Sequence, residues 1–317
     1  MACIELDNVT KRFGAHTAVD GLDLAVPDGA IYGFIGPNGS GKTTTIRMIL
    51  NIIEPDAGRL SVLGEADPRA ANDRVGYLPE ERGLYKKMPL ARQMAYFGQL
   101  KGMERDAAAR AAGEWLDRLG LGDWAGKKIE ALSKGMAQKA QFIAAVIAAP
   151  KLLILDEPFS GLDPVNLEVI RQAILDLRAQ GTTVIFSTHD MAMAEKMCDA
   201  LFMIFRGKKV LDGTLEAIQA EHAVDTVRLD TDAPVDPLPG VSAVTPDGRF
   251  QLLHLEPDAD AQRVLAEAAS RGDVRHFEIV RPSLHDIFLR IAGPEAATAA
   301  MTGEEAQAQI QGEADHV

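Results

Sequence analysis

The stretch that most limits what this chain can fold into is "GPNGSGKTT", Gly36 to Thr44. It fits G-x-x-x-x-G-K-[ST], and its surroundings matter as much as the match. Before it, "AIYGFI" is a short apolar run of strand type; after it, "TTTIRMILNII" has apolar residues at helical spacing. A strand, a glycine-rich turn and a helix start leave backbone N–H groups pointing into one concavity at the positive end of a helix. Such a loop wraps a phosphate chain. On this pattern Gly36, Pro37, Asn38, Gly39, Ser40, Gly41, Lys42, Thr43 and Thr44 form the phosphate loop. Lys42 reaches the β- and γ-phosphates, and Thr43 offers its hydroxyl to Mg²⁺.

Two more runs, "KLLILDEP" and "TTVIFSTHD", are apolar on both faces, as strands of a parallel sheet are. The second leads into the helical "MAMAEKMCDA", and the alternation of strands and helices predicts an α/β core. Between 85 and 150 the segments "LARQMAYFGQLKGM", "AAARAAGEWLDRLGL" and "MAQKAQFIAAVIAA" are Ala-rich with helical period. They predict a helical subdomain inserted in that core. "CDALFMIFRGKKVLDGT" predicts two strands turning at Arg206-Gly207, which closes a first domain over 1–220. "VDTVRLD", "VSAVTPDGRFQLLHL" and "VRHFEIVRP" read as short strands, with helices over 259–271 and 283–291. They make a small α+β domain over 221–292. The remainder, 293–317, has no aromatic residue and is rich in Ala, Glu and Gln, which predicts a disordered or frayed tail.

The chain has 317 residues, enough for about two domains. Its formal net charge of −13 disfavours a duplex-binding protein, which needs a basic face to displace counterions from phosphate. Cys3 and Cys198 are far apart in sequence and in no metal-like spacing, and read as reduced thiols without a role. No apolar run approaches the roughly 18 residues a membrane span requires. "MACIELDNVTKRFG" has early acids and no apolar core, so it is not read as a signal peptide.

"LLILDEP" ends in Asp156 and Glu157. Beside a phosphate loop, an acid at a strand's carboxyl end is placed to hold Mg²⁺, and its neighbour to polarise a water for attack on the γ-phosphate. "LSKGMAQK" opens a predicted helix, with Ser133 as its cap and Gly135 as a close-approach glycine. Taken in order, Gly36–Thr44, "YLPEE", "LSKGM", "LLILDEP", "SGLDP" and "STHD" resemble the ATP-binding subunit of ATP-binding cassette (ABC) transporters over about residues 3–220. "RPSLHDIFLRIAG" resembles the accessory domain of a subgroup serving exporter permeases of ABC-2 type, including sodium and drug efflux systems.

The resemblance implies a P-loop ABC ATPase fold that binds ATP with Mg²⁺. Phe13 then stacks on adenine, Glu157 is the catalytic base, His189 the switch that contacts the γ-phosphate, and Asp156 the Mg²⁺ partner with Thr43. Ser133, Lys134, Gly135 and Met136 form the signature that closes on ATP held by a second subunit, and Asp163 communicates across that dimer. The implied partners are a second ATPase subunit, as in a homodimer, and a separate membrane permease, with no nucleic acid. The implied location is cytoplasmic, peripheral on the inner face of the membrane through that permease.

The sequence departs from the family pattern twice. The signature usually reads LSGGQ, and here Lys134 and Met136 replace a glycine and the glutamine. At Glu80, in "VGYLPEERGLY", the pattern has glutamine. Glu80 either ligates Mg²⁺ as a carboxylate or, crowded by like charge, imitates the amide in protonated form. Glu81 and Arg82 are expected to face outward. Two other readings stay open. One is a soluble ABC ATPase acting on DNA or ribosomes, disfavoured by the single cassette and acidic charge. The other is a nucleotide-binding regulator, disfavoured by intact Glu157 and His189.

Overall fold

The computed structural model describes residues 2–81, 83–222, 226–232, 235, 237–256 and 259–293. The expectations for Arg82 and for the tail from 294 onward fall outside these residues. The chain divides into two units with a boundary between Leu215 and Glu216.

The first unit opens with β1 (Ala2–Phe13), β2 (His16–Pro27), β3 (Ile31–Ile35), α1 (Lys42–Ile49), β4 (Ala57–Val62) and β5 (Val75–Leu78). Three longer helices follow: α2 (Leu90–Leu100), α3 (Arg105–Arg118) and α4 (Lys134–Val146). Then come β6 (Leu152–Asp156), α5 (Pro164–Ala179), β7 (Thr183–Thr188), α6 (Met191–Met197), β8 (Ala200–Phe205) and β9 (Lys208–Gly213). The central sheet has the order β5-β6-β7-β3-β8-β9. All neighbours in it are parallel except β8 and β9, which form a hairpin. That hairpin turns on Arg206 and Gly207, both at positive φ (51° and 78°), as a tight two-residue turn requires.

Side-chain alternation divides the core into two layers. From β6, Leu153 and Leu155 face a cluster with Phe142, Ile143, Ile170 and Ile174 from α4 and α5. Leu152 and Ile154 face the other way, with Ile46 and Ile49 of α1 and Val19 and Leu22 of β2. Burial on both faces explains why β3, β6 and β7 read as unbroken apolar runs. A separate antiparallel sheet, β2-β1-β4, lies outside the sequence reading. Its strands β1 and β2 are bulged at several registers, which blurs their period-two signal.

The second unit, Glu216–Gly293, takes in most of α7 (Leu215–Glu221). Its remaining elements are β10 (Thr226–Thr231), β11 (Val241–Asp247), β12 (Phe250–Leu255), α8 (Ala261–Arg271), β13 (Val274–Ile279) and α9 (Leu284–Ala292). The strands form one antiparallel sheet, β11-β12-β10-β13. Val264 and Ala268 of α8 pack on Val227, Leu229 and Leu253. α9 begins in a capping box between Ser283 and Asp286, which satisfies donors at its first turn. Among the described residues no helix is long and apolar enough to cross a membrane.

Candidate functional site

Four adjacent parallel strands, β5, β6, β7 and β3, all end on one edge of the central sheet. Each is followed at once by a polar segment: Glu80 after β5, Asp156 and Glu157 at β6, His189 after β7, and the glycine loop after β3. This edge is where open α/β sheets hold ligands. Residues 38–44 of the loop, Glu80, Asp156, Glu157 and Phe13 line a single cavity of about 260 Å³, while Gly36 and Pro37 do not border it.

The loop requires glycine at its entry. A β-carbon on Gly36 would fall 2.2 Å from the Ile204 carbonyl oxygen on β8, and its φ is +152°. α1 starts after Gly41 with no side-chain cap, so its first N–H groups keep their capacity for an anion. Ser40 Oγ is buried without a hydrogen-bond partner among the described residues. Lys42 is only 6% exposed, and its Nζ donates to the carbonyls of Gly36 at 2.5 Å and Pro37 at 3.0 Å. Burial pulls its pKa down, while Glu157, Asp156 and Glu80 push it back up. One ammonium therefore faces three carboxylates.

That imbalance is the test of fit for a divalent cation. Asp156 is buried, and its pKa is raised first by burial and further by Glu80 and Glu157, against a 2.8 Å hydrogen bond from Ser187 Oγ. The described residues contain no group of three His, Cys, Asp or Glu able to cage a metal alone. Mg²⁺ does not need such a cage: it keeps waters and is held by one or two carboxylates together with substrate phosphates. The Thr43 hydroxyl and the Asp156 and Glu80 carboxylates line the same cavity, so the donor set fits that ion.

Glu157 holds a left-handed backbone, φ +48°, which a non-glycine residue adopts only at a cost of about 1–3 kcal/mol. The neighbouring turn holds its side chain. Thr188 Oγ1 donates to its Oε2 at 3.1 Å, and His189 N donates to its Oε1 at 2.8 Å. His189 Nδ1 lies 2.6 Å from the same oxygen. That contact, more than any other, raises the His189 pKa above the ordinary 6.5. The charge-assisted pair is thus present just below the raised value and lost as pH rises through it. We expect the His189 imidazole, followed by NMR, to titrate above 6.5, and its midpoint to fall toward 6.5 in Glu157→Gln. A wild-type midpoint at or below 6.5 would show that the pair does not form.

Phe13 ends β1 and is 51% exposed, so it is not a core residue; Lys11 Nζ lies 5.6 Å from its ring centroid. Phe13 is among the residues that line the cavity. Ser133, Lys134, Gly135 and Met136 do not line the cavity. Ser133 caps α4 by accepting from Met136 N at 3.3 Å. A β-carbon on Gly161 would fall 2.4 Å from Lys134 Cε, so the lysine that departs from the family pattern lies across the "SGLDP" turn. Asp163 caps α5, accepting from the N–H groups of Val165 and Asn166, each at 3.0 Å. These residues form a second patch apart from the phosphate loop. Glu81 is exposed, as expected. The sequence reading passed over His16 and Ala18, which also line the cavity, and Ser187, the partner of Asp156. Ser187 carried a signal, since it opens "STHD".

A phosphate loop and an acid pair on the carboxyl edge of a parallel sheet define a P-loop nucleotide-hydrolysing protein. The family follows from comparison with known proteins. The ABC transporter family model matches residues 19–160, and that of the C-terminal domain of DrrA1-3-like ATP-binding proteins matches 213–292. An ABC transporter ATP-binding protein of Bacillus subtilis, YhaQ, is 42% identical over 295 residues, 92% of this chain and 98% of its own. Nod factor export ATP-binding protein I of Paraburkholderia xenovorans is 36% identical over 303 residues, covering 93% and 98%. Daunorubicin resistance ATP-binding protein DrrA3 of Streptomyces coeruleorubidus is 30% identical over 305 residues, covering 92% and 96%. A solved ATP-binding subunit of an ABC transporter superimposes with a TM-score of 0.65 at 28% identity, over 69% of this chain and 93% of that one. The chain belongs to the ABC transporter family, as an ATP-binding subunit with ATPase activity.

Proposed function

We propose that this subunit powers export through a separate membrane permease, as one of a pair of identical ATPase subunits that close around ATP and part after hydrolysis. The observation that carries the catalytic part is the convergence of Lys42, Asp156, Glu157 and the His189 turn at the ends of neighbouring parallel strands. Phe13 stacks on adenine, and the loop amides with Lys42 hold the β- and γ-phosphates. Glu157 accepts a proton from the attacking water, and the γ-phosphoryl leaves ADP as inorganic phosphate. His189 orients Glu157 and reads the γ-phosphate. Thr43, Asp156 and Glu80 would hold Mg²⁺, which would supply positive charge against the phosphates.

The patch of exposed Ser133 and Asp163 with half-buried Gly135 supports pairing, since it lies apart from the phosphate loop of its own chain. It would close on the nucleotide held by the second subunit, a two-state element biased by the γ-phosphate. Export rests on the Nod factor and daunorubicin relatives and on the matched C-terminal domain. The test is co-expression with genomic neighbours. We expect the chain to co-purify with a polytopic membrane protein that raises its ATPase rate. Consistent recovery of the chain alone, at an unchanged rate, would sink the transport reading and leave the ATPase intact.

A further inference from the structure

α4 carries two buried glutamines, Gln138 and Gln141, 5% and 4% exposed. Each sends its amide to a backbone carbonyl in a different loop of the cavity. Gln138 Nε2 donates to Pro158 O at 3.1 Å, and Gln141 Nε2 donates to Glu81 O at 3.0 Å. Each anchor lies one residue after an acid that lines the cavity: Pro158 follows Glu157, and Glu81 follows Glu80.

The geometry suits the task. Residues three apart on a helix stand about 5–6 Å from each other. Adjacent strands are about 4.8 Å apart. β5 and β6 are such neighbours, paired in parallel from Val75↔Leu152 to Leu78↔Leu155. One helix face therefore spans both loops where they leave the sheet. α4 can lie this close because β5 has Gly76, where a β-carbon would fall 2.1 Å from Ala145 O.

We infer that Gln138 and Gln141 are positioning residues: a two-point amide clamp on α4 that sets the spacing of Glu80 and Glu157 at the nucleotide. The inference rests on the hydrolytic reading above. It makes α4, capped by Ser133, the rigid link between the outer patch and both acid-bearing loops. Movement at Ser133 reaches Glu80 and Glu157 through hydrogen bonds rather than through loose packing.

A purely structural role makes a different prediction. Gln141 Oε1 is buried without a partner among the described residues. Gln141→Met keeps the length, removes that acceptor and removes the Nε2 donor. A structural glutamine lost this way leaves melting temperature and kcat moving together. The clamp separates them. We expect Gln141→Met in the full chain to melt at or above the wild-type temperature and to bind ATP within twofold, with kcat down by about fivefold. Gln138→Met serves as the independent second site: its Nε2 donor to Pro158 O is lost as well, and kcat is expected to fall by a similar factor with ATP binding again within twofold. Gln141→Glu has a donor only while protonated, so its kcat relative to wild type rises as pH is lowered. Unchanged kcat in both Met variants, or losses that follow melting temperature, would overturn the clamp. Wild type and Glu157→Gln are assayed alongside. If those two hydrolyse ATP equally, the hydrolytic reading fails; if they differ while the Met variants match wild type, the clamp alone fails.

Discussion

Glu157→Gln is expected to bind ATP about as tightly as wild type, to release phosphate at least about a hundredfold more slowly, and to accumulate as an ATP-bound dimer. The amide keeps the shape of the side chain and can still accept from His189 N, so the left-handed backbone at 157 stays supported. It cannot take a proton from water. A positioned general base contributes about 10²–10⁴ in rate, which sets the scale of the loss. Lys42 and the loop amides are untouched, so affinity survives. The accumulation follows from the same logic: if the γ-phosphate holds two subunits together, failure to cleave it leaves them closed. Phosphate release and size-exclusion chromatography with ATP check both halves. Wild-type turnover in the variant would remove Glu157 from the role of base. Lost turnover without a dimer would keep the base and discard ATP as the agent of closure.

Lys42→Ala is expected to show the opposite split, losing affinity first. Lys42 is the buried cation facing Glu80, Asp156 and Glu157, and its Nζ already sits among loop carbonyls that position it for phosphate. Removing one partner of a desolvated charge pair costs roughly 2–5 kcal/mol, or about 30- to 4000-fold in binding. The fold should feel the loss as well, with a pH dependence whose sign is fixed. The Asp156 pKa already stands above the usual carboxylate value of 3.8, and losing Lys42 raises it further. A carboxyl raised in the folded state favours folding while protonated and ceases to as pH rises through its folded value. Relative to wild type, the melting temperature of Lys42→Ala should therefore be lowest near neutral pH and recover on acidification. ATP titration and thermal melts across pH measure the two effects. Wild-type affinity in the variant would show that the loop amides alone hold the phosphates.

Much of this site could be read before any fold was known. Gly36 to Thr44 is a local pattern, because phosphate wrapping needs successive backbone groups. Asp156 and Glu157 were legible as acids ending a doubly buried strand, and Ser133 as a helix cap. Other parts were not. Nothing local to Glu157 shows that His189, 32 residues away, will hold it, nor that Ser187 on β7 will bind Asp156. Gln138 and Gln141 carry no signal at all. Glutamine in an Ala-rich helix reads as solvated, and only burial beneath β5 and β6 turns the two amides inward.

The stretch "VGYLPEERGLY" separates the two kinds of information. Its sequence determines a short buried strand that breaks at Pro79 into acids, since β-structure and a proline turn depend on neighbouring residues. Tertiary structure decides that β5 lies beside β6, that Gly76 admits α4, and that Glu80 therefore shares a cavity with Lys42 and Asp156. Chain order and backbone preference act over a few residues. The order β5-β6-β7-β3 arises from helical crossovers between distant strands, and the chemistry lies where those strands end.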